Sequence, residues 1–156
     1  MTKSSRGSTE PTLKRRSEVK EVLAATRRLA RFRRDIVAVA LAGSWATGRP
    51  TMESDVDLVV LTTEKALYLR DETWVRELGG VEMLRTRDWG PLYTERRFVM
   101  RYGLEVEFGV APPEWAATDP PDPNILEDIG RGGLEPVYDP EGILGRLIRA
   151  RKKLSG

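Results

Sequence analysis

Two short and almost wholly apolar runs, Ile36–Ala42 and residues 55–62, set the strongest limit on how this chain can fold. Unbroken runs of this length mark strands covered on both faces, so the chain must supply helices to two sides of a sheet. The second run opens on two acids, Asp55 and Asp57, in the segment Ser54-Asp-Val-Asp-Leu-Val-Val60. Side chains alternate along a strand, so both carboxylates share a face, about 7 Å apart, while Val56 and Leu58 point the other way. The apolar residues that follow place the acids at the rim of a buried strand, where a carboxylate needs a cation or hydrogen-bond donors. Between the runs, Gly43-Ser44 reads as a turn into a one-turn helix that ends near Gly48. A helix that starts just after a glycine presents backbone N–H groups to a phosphate, and Ser44 adds a hydroxyl. A carboxylate pair beside such a turn suits Mg²⁺ and a nucleoside triphosphate.

The rest of the chain reads as alternating helices and strands. A helix is expected from Ser17, which can cap it, with Val19, Val22, Leu23, Leu29 and Ala30 on one apolar face. Residues 64–78 read as a helix closed by Gly79-Gly80, and residues 81–87 as a third strand. Residues 97–102 and 104–110 read as a hairpin turning at Gly103, ended by Pro112-Pro113. Residues 118–123 are a loop by composition, and Asp139-Pro140-Glu141 is a helix start with the aspartate as cap and the proline in the first turn. The expected architecture is α/β, a mixed sheet flanked by helices. Residues 12–156 are expected to form a single domain, preceded by a disordered basic leader at 1–11 that has almost nothing to bury.

Composition narrows the chemistry. The 156 residues include no cysteine and no histidine. Thiolate metal sites, cysteine nucleophiles, histidine bases and Ser-His-Asp triads are therefore excluded, whereas Asp/Glu–Mg²⁺ chemistry needs none of the missing residues. No apolar run reaches the length of a membrane span, which leads to the expectation of a cytoplasmic protein with no membrane partner. The net charge of +2 hides an asymmetry: residues 1–34 carry eleven Lys/Arg against three Glu, and the remainder carries fifteen against twenty-one acids. A basic arm of this kind can bind nucleic acid, but no aromatic residues interleave with its first cations, and that reading is the weaker one.

A third acid is needed in two-metal phosphoryl transfer, because the ion that activates the acceptor hydroxyl must be held independently. Leu104-Glu-Val-Glu-Phe108 offers Glu105 and Glu107 on one face of a strand. Glu107, deeper in the strand, is preferred and Glu105 is the reserve. The alternative for both is an exposed strand face whose acids pair with Arg97 or Arg101 on the neighbouring strand. Trp74, Trp89, Tyr93 and Trp115 can pack in the core or rim, or stack on a planar ring.

An apolar residue, Gly-Ser, a spacer of about ten residues and Asp-x-Asp in an apolar run together resemble the signature of the DNA polymerase β-like nucleotidyltransferase superfamily. The small stand-alone members called minimal nucleotidyltransferases look most similar, over residues 36–110 or so. The resemblance implies a two-metal Mg²⁺ site on Asp55, Asp57 and Glu107, with nucleotide phosphates at Gly43 and Ser44 and Arg49 placed to neutralise leaving-group charge. It implies transfer of a nucleoside monophosphate, AMP from ATP above other nucleotides, to a hydroxyl on a protein or small molecule. Family members of this size include antitoxins that modify a toxin, for which a helical HEPN-type partner would be expected, and larger relatives adenylylate aminoglycosides. Two alternatives stand beside the enzyme: a catalytically degenerate, antitoxin-like domain of the same fold that binds a partner, and a nucleic-acid-binding module using the basic arm.

Overall fold

The computed structural model describes residues 9–155. The first eight positions of the expected leader lie outside the described residues. Of its last three, Thr9 accepts a hydrogen bond from Met52 N–H at 2.8 Å through its carbonyl, and Pro11 is buried. The first helix, α1 (Leu13–Phe32), begins one turn before Ser17. Thr12 caps it instead, accepting from the Arg15 amide at 3.0 Å, because a hydroxyl two or three residues ahead of free amides can satisfy one of them.

Six strands form one sheet: β1 (Ile36–Ala42), β2 (Val56–Thr62), β3 (Gly80–Trp89), β4 (Tyr93–Met100), β5 (Glu105–Ala111) and β6 (Leu134–Tyr138), in the order β3-β4-β5-β2-β1-β6. The β2–β5 pair is parallel and all the others are antiparallel, so the sheet is mixed, as expected for an α/β protein. The period of two sorts the central strands onto two cores. Val39, Leu41, Val56, Leu58, Val60, Val106 and Phe108 face α1 and two short helices, α3 (Lys65–Arg70) and α4 (Thr73–Glu77). Ala38, Ala40, Val59, Leu61 and Ala111 face α5 (Pro123–Gly132) and α6 (Ile143–Ser155). Each fully buried large apolar side chain contributes about 1.5–3 kcal/mol, which is why neither face of β1 or β2 tolerates a polar residue away from its ends.

Several boundaries differ from the expectation. The helix expected over 64–78 is two helices, broken where the Asp71 carboxylate accepts from the amide and the hydroxyl of Thr73 and so competes with the helical ladder. Trp74 opens the second of them, fully buried edge-on against Tyr68 and Phe108, which makes it a core residue. The hairpin before Gly103 starts four residues earlier than expected, at Tyr93, and turns through Arg101–Gly103 with Tyr102 in the left-handed region at φ 69°. The helix α5 and the strand β6 were not expected; α5 starts at the proline that ends the loop 118–123, with Asp122 capping it. Asp139 does cap α6, through the amides of Leu144 and Gly145, but the helix begins at Ile143 and Pro140 lies outside it. Among the described residues no helix is long and apolar enough to cross a membrane.

Candidate active site

The turn after β1 and the start of β2 meet at one end of the sheet. Gly43 has φ 76° and caps the four-residue helix α2 (Ser44–Thr47), which Gly48 closes at φ 79°. Positive φ suits glycine at both places. A second constraint acts at Gly43, since a Cβ there would overlap Asp57 Oδ2. The Asp57 carboxylate is thus packed against the glycine backbone. The Gly43 amide is committed to the Gly132 carbonyl at 2.7 Å, so the donors left to a phosphate are the first amides of α2 and the Ser44 hydroxyl. Arg49 follows the turn as an exposed side chain, its amide bonded to the Ser44 carbonyl at 3.0 Å.

Asp55 and Asp57 share the face of Val59 and Leu61 on β2. On β5, Glu107 is the register partner of Asp57 in the parallel pair, which puts its carboxylate on the same face. Asp55, Asp57 and Glu107 each offer one oxygen, and these atoms all lie within 4.8 Å of one another. Glu105 shares the face but is not among this group; it bonds Arg97 Nη1 at 2.7 Å.

The electrostatics follow from this crowding. Burial first, and the Asp55 charge second, push Asp57 up to about 6 from an ordinary 3.8, against the pull of Arg97. Asp57 Oδ1 is buried with no hydrogen-bond partner among the described residues. Burial likewise pushes Glu107 up, reinforced by the hydrogen bond it shares with Glu95 and by the charge of Asp57. For Glu95 burial acts the same way, but the bond with Glu107 and the charges of Arg85 and Arg97 hold it below the usual range. Three crowded carboxylates, one with an orphaned buried oxygen, form the oxygen donor set that a hard divalent cation takes. The residues present therefore fit Mg²⁺.

Arg97, on β4, lies among these acids. Its guanidinium bonds Asp55 at 2.8 Å and Glu105 at 2.7 Å, and it also bonds Glu107. Arg101, the other basic residue considered for such pairing, instead packs near Gly79. Beside the cluster a cleft of about 570 Å³ opens between the β3–β4 turn and α5. Trp89, Leu92, Tyr93, Trp115 and Ile125 line it together with Asp57. The sequence signal for α5 was weak because Pro123 and three glycines surround its short apolar stripe, so its contribution to the cleft went unforeseen.

Gly43→Ala is expected to cost about 1–2 kcal/mol in backbone strain and to push the Asp57 carboxylate out of place. A lower urea midpoint together with lost Mn²⁺ binding is the expected pair of results. A variant with wild-type stability and binding would show that the close approach is not required.

A family model described as a nucleotidyltransferase domain matches residues 19–107, from within α1 to Glu107. No curated protein sequence matches the chain. Among solved structures it is similar to the Cid1 poly(U) polymerase, with 19% identity, 65% of this chain covered and a TM-score of 0.47. The match covers 32% of that structure's length, so the chain spans about a third of it.

Proposed function

Because the chain belongs to the nucleotidyltransferase domain family, we propose that it transfers a nucleoside monophosphate, AMP from ATP, to a hydroxyl of a protein or small molecule in a Mg²⁺-dependent reaction. The observation that carries this reading is the convergence of Asp55, Asp57 and Glu107 within 4.8 Å beside the Gly43-Ser44 turn. The acceptor hydroxyl gives up its proton to solvent, its oxygen forms a bond to the α-phosphorus, the bond from that phosphorus to the bridging oxygen breaks, and pyrophosphate leaves. Asp55, Asp57 and Glu107 are the proposed metal ligands. Bound Mg²⁺ would lower the pKa of the acceptor hydroxyl and offset charge on the phosphates. The Ser44 amide and hydroxyl would donate to the phosphates, and Arg49, which follows the turn, would neutralise leaving-group charge. The aromatic cleft holds the body of a substrate and excludes water from one side of the cluster. A cytoplasmic location is part of this proposal.

The second reading is a partner-binding domain without catalysis, and one observation favours it: Arg97 already neutralises the acids, as a scaffold would need. The two readings separate on incubation with α-labelled ATP, Mg²⁺ and either the product of the adjacent gene or a panel of hydroxyl-bearing small molecules. Label on an acceptor and released pyrophosphate are expected. A partner that binds while nucleotide does not would establish the scaffold. A helical partner of the HEPN type would place the pair among toxin–antitoxin systems.

A further inference from the structure

The guanidinium of Arg97 bridges two of the three proposed metal ligands, Asp55 and Glu107, and reaches Glu105 on its other side. The protein thus carries a cation of its own where the divalent ion is expected to sit. Three features bear on how firmly that cation is held. Arg97 Nε is buried without a hydrogen-bond partner among the described residues, so the guanidinium is not fully satisfied by them where it lies. Asp57 Oδ1, a buried oxygen of the cluster, receives nothing from it. A second cavity of about 500 Å³, which Asp57 does not line, is bounded by Arg97, Glu105, Asp55, Glu53, Ser54 and Arg15, which leaves the side chain space to move into.

Glu105 fits this arrangement better than it fits metal ligation. It lies outside the close carboxylate group, its side chain is 44% exposed, and it bonds Nη1, whereas Asp55 and Glu107 both bond Nη2. One edge of the fork can therefore keep its partner while the other is released. A charge-assisted bond at 2.7 Å is strong enough to act as the retained contact.

We propose that Arg97 is an internal counter-cation of the metal site: it holds Asp55 and Glu107 in the metal-free protein and yields them to an entering divalent cation, pivoting on Glu105 into the adjoining cavity. This rests on the reading of Asp55, Asp57 and Glu107 as metal ligands. Arg97 is then a positioning residue. It keeps like-charged carboxylates together before the ion arrives, which their mutual repulsion would otherwise oppose. Glu105 acts only through Arg97.

Titrating Mn²⁺ alone, without nucleotide, into the full chain tests this, with calorimetry and electron paramagnetic resonance as readouts. Arg97→Met removes the competing charge at similar length, and Mn²⁺ should bind roughly tenfold more tightly, the scale set by breaking hydrogen bonds to charged groups. The same variant should melt at lower temperature without metal and regain stability as Mn²⁺ is added. Should it fold poorly, Arg97→Lys serves: one ammonium cannot fork across three carboxylates, and a smaller gain in affinity is expected. Glu105→Gln should weaken Mn²⁺ binding a few-fold with Arg97 present and have no effect in the Arg97→Met background, the coupling expected when one residue acts through another. Unchanged or weaker binding in Arg97→Met, with binding lost in Asp57→Asn, overturns the proposal while leaving the metal site intact. A Glu105→Gln effect that persists in the double variant makes Glu105 a ligand and overturns its assigned role. Equal Mn²⁺ binding by wild type and Asp57→Asn overturns the metal site and this inference together.

Discussion

Asp57→Asn is expected to lower nucleotidyl transfer by at least about a thousandfold while making the metal-free protein more stable. The loss follows from the place of Asp57 in the cluster: its buried Oδ1 has no hydrogen-bond partner among the described residues, and its Oδ2 packs on the Gly43 turn. Removing a ligand that stabilises charge in the transition state costs several kcal/mol, and about 1.4 kcal/mol corresponds to each factor of ten. The gain in stability has the opposite origin. Folding raises the Asp57 pKa to about 6 from an ordinary 3.8, chiefly by burial. The native state therefore binds this proton more tightly than the unfolded state does. Stability from this group is greatest below about pH 4 and is lost as pH rises through about 6. At pH 7.5 the ionised carboxylate opposes folding, and a neutral amide relieves about 1–3 kcal/mol after allowance for partial exposure. Thermal melts from pH 4 to 8 should show a shallower decline for the variant than for the wild type. Calorimetry with ATP and Mg²⁺ checks the other half; wild-type nucleotide binding in the variant would remove Asp57 from the metal site.

Glu107→Gln and Glu105→Gln are expected to differ by at least about thirtyfold in kcat. Glu107 stands opposite Asp57 in the β2–β5 register and contributes an oxygen to the close cluster, while Glu105 lies outside it and pairs with Arg97. In its proposed role Glu107 acts on the reacting centre, so its loss should lower kcat by about a hundredfold or more with little change in ATP binding. Loss of Glu105 should change kcat by less than about threefold once Mg²⁺ is saturating, because its contact is with Arg97, the side chain proposed to yield to the ion. Single-turnover assays at high Mg²⁺ measure both. The reverse ranking would make Glu105 the third ligand, and two small effects would leave both acids as strand residues that hold Arg97.

Much of the site could be read from chain order. Gly43, Ser44, Asp55 and Asp57 fall within one strand–turn–strand segment, and their relation is local: the turn needs glycine at positive φ, and the period of two puts both aspartates on one face. The two buried strands were legible for a similar reason, since unbroken apolar runs have few other uses in a chain of this length. The weaker signals failed where local competition decided the outcome. Asp71 breaks a helix whose apolar pattern runs on, and Thr12 captures a helix start that Ser17 was equally suited to make. In both cases a single polar side chain outweighs the pattern around it.

The third acid was a different kind of question. Glu105 and Glu107 share a strand, a face and apolar neighbours, and only the greater depth of Glu107 in the segment favoured it over Glu105. The parallel pairing of β5 with β2, which sets Glu107 opposite Asp57, adds a distinction that the segment alone does not contain. The same holds for Arg97, where residues 42 apart in the chain share an ion pair with Asp55 at 2.8 Å, and for the cleft walls brought in by α5 and the β3–β4 turn. Steric and hydrogen-bonding rules within a few residues are strong enough to be written in the local sequence. The register between strands distant in the chain is set by the packing of both faces at once, and it is this packing that turns three separate acids into one cluster.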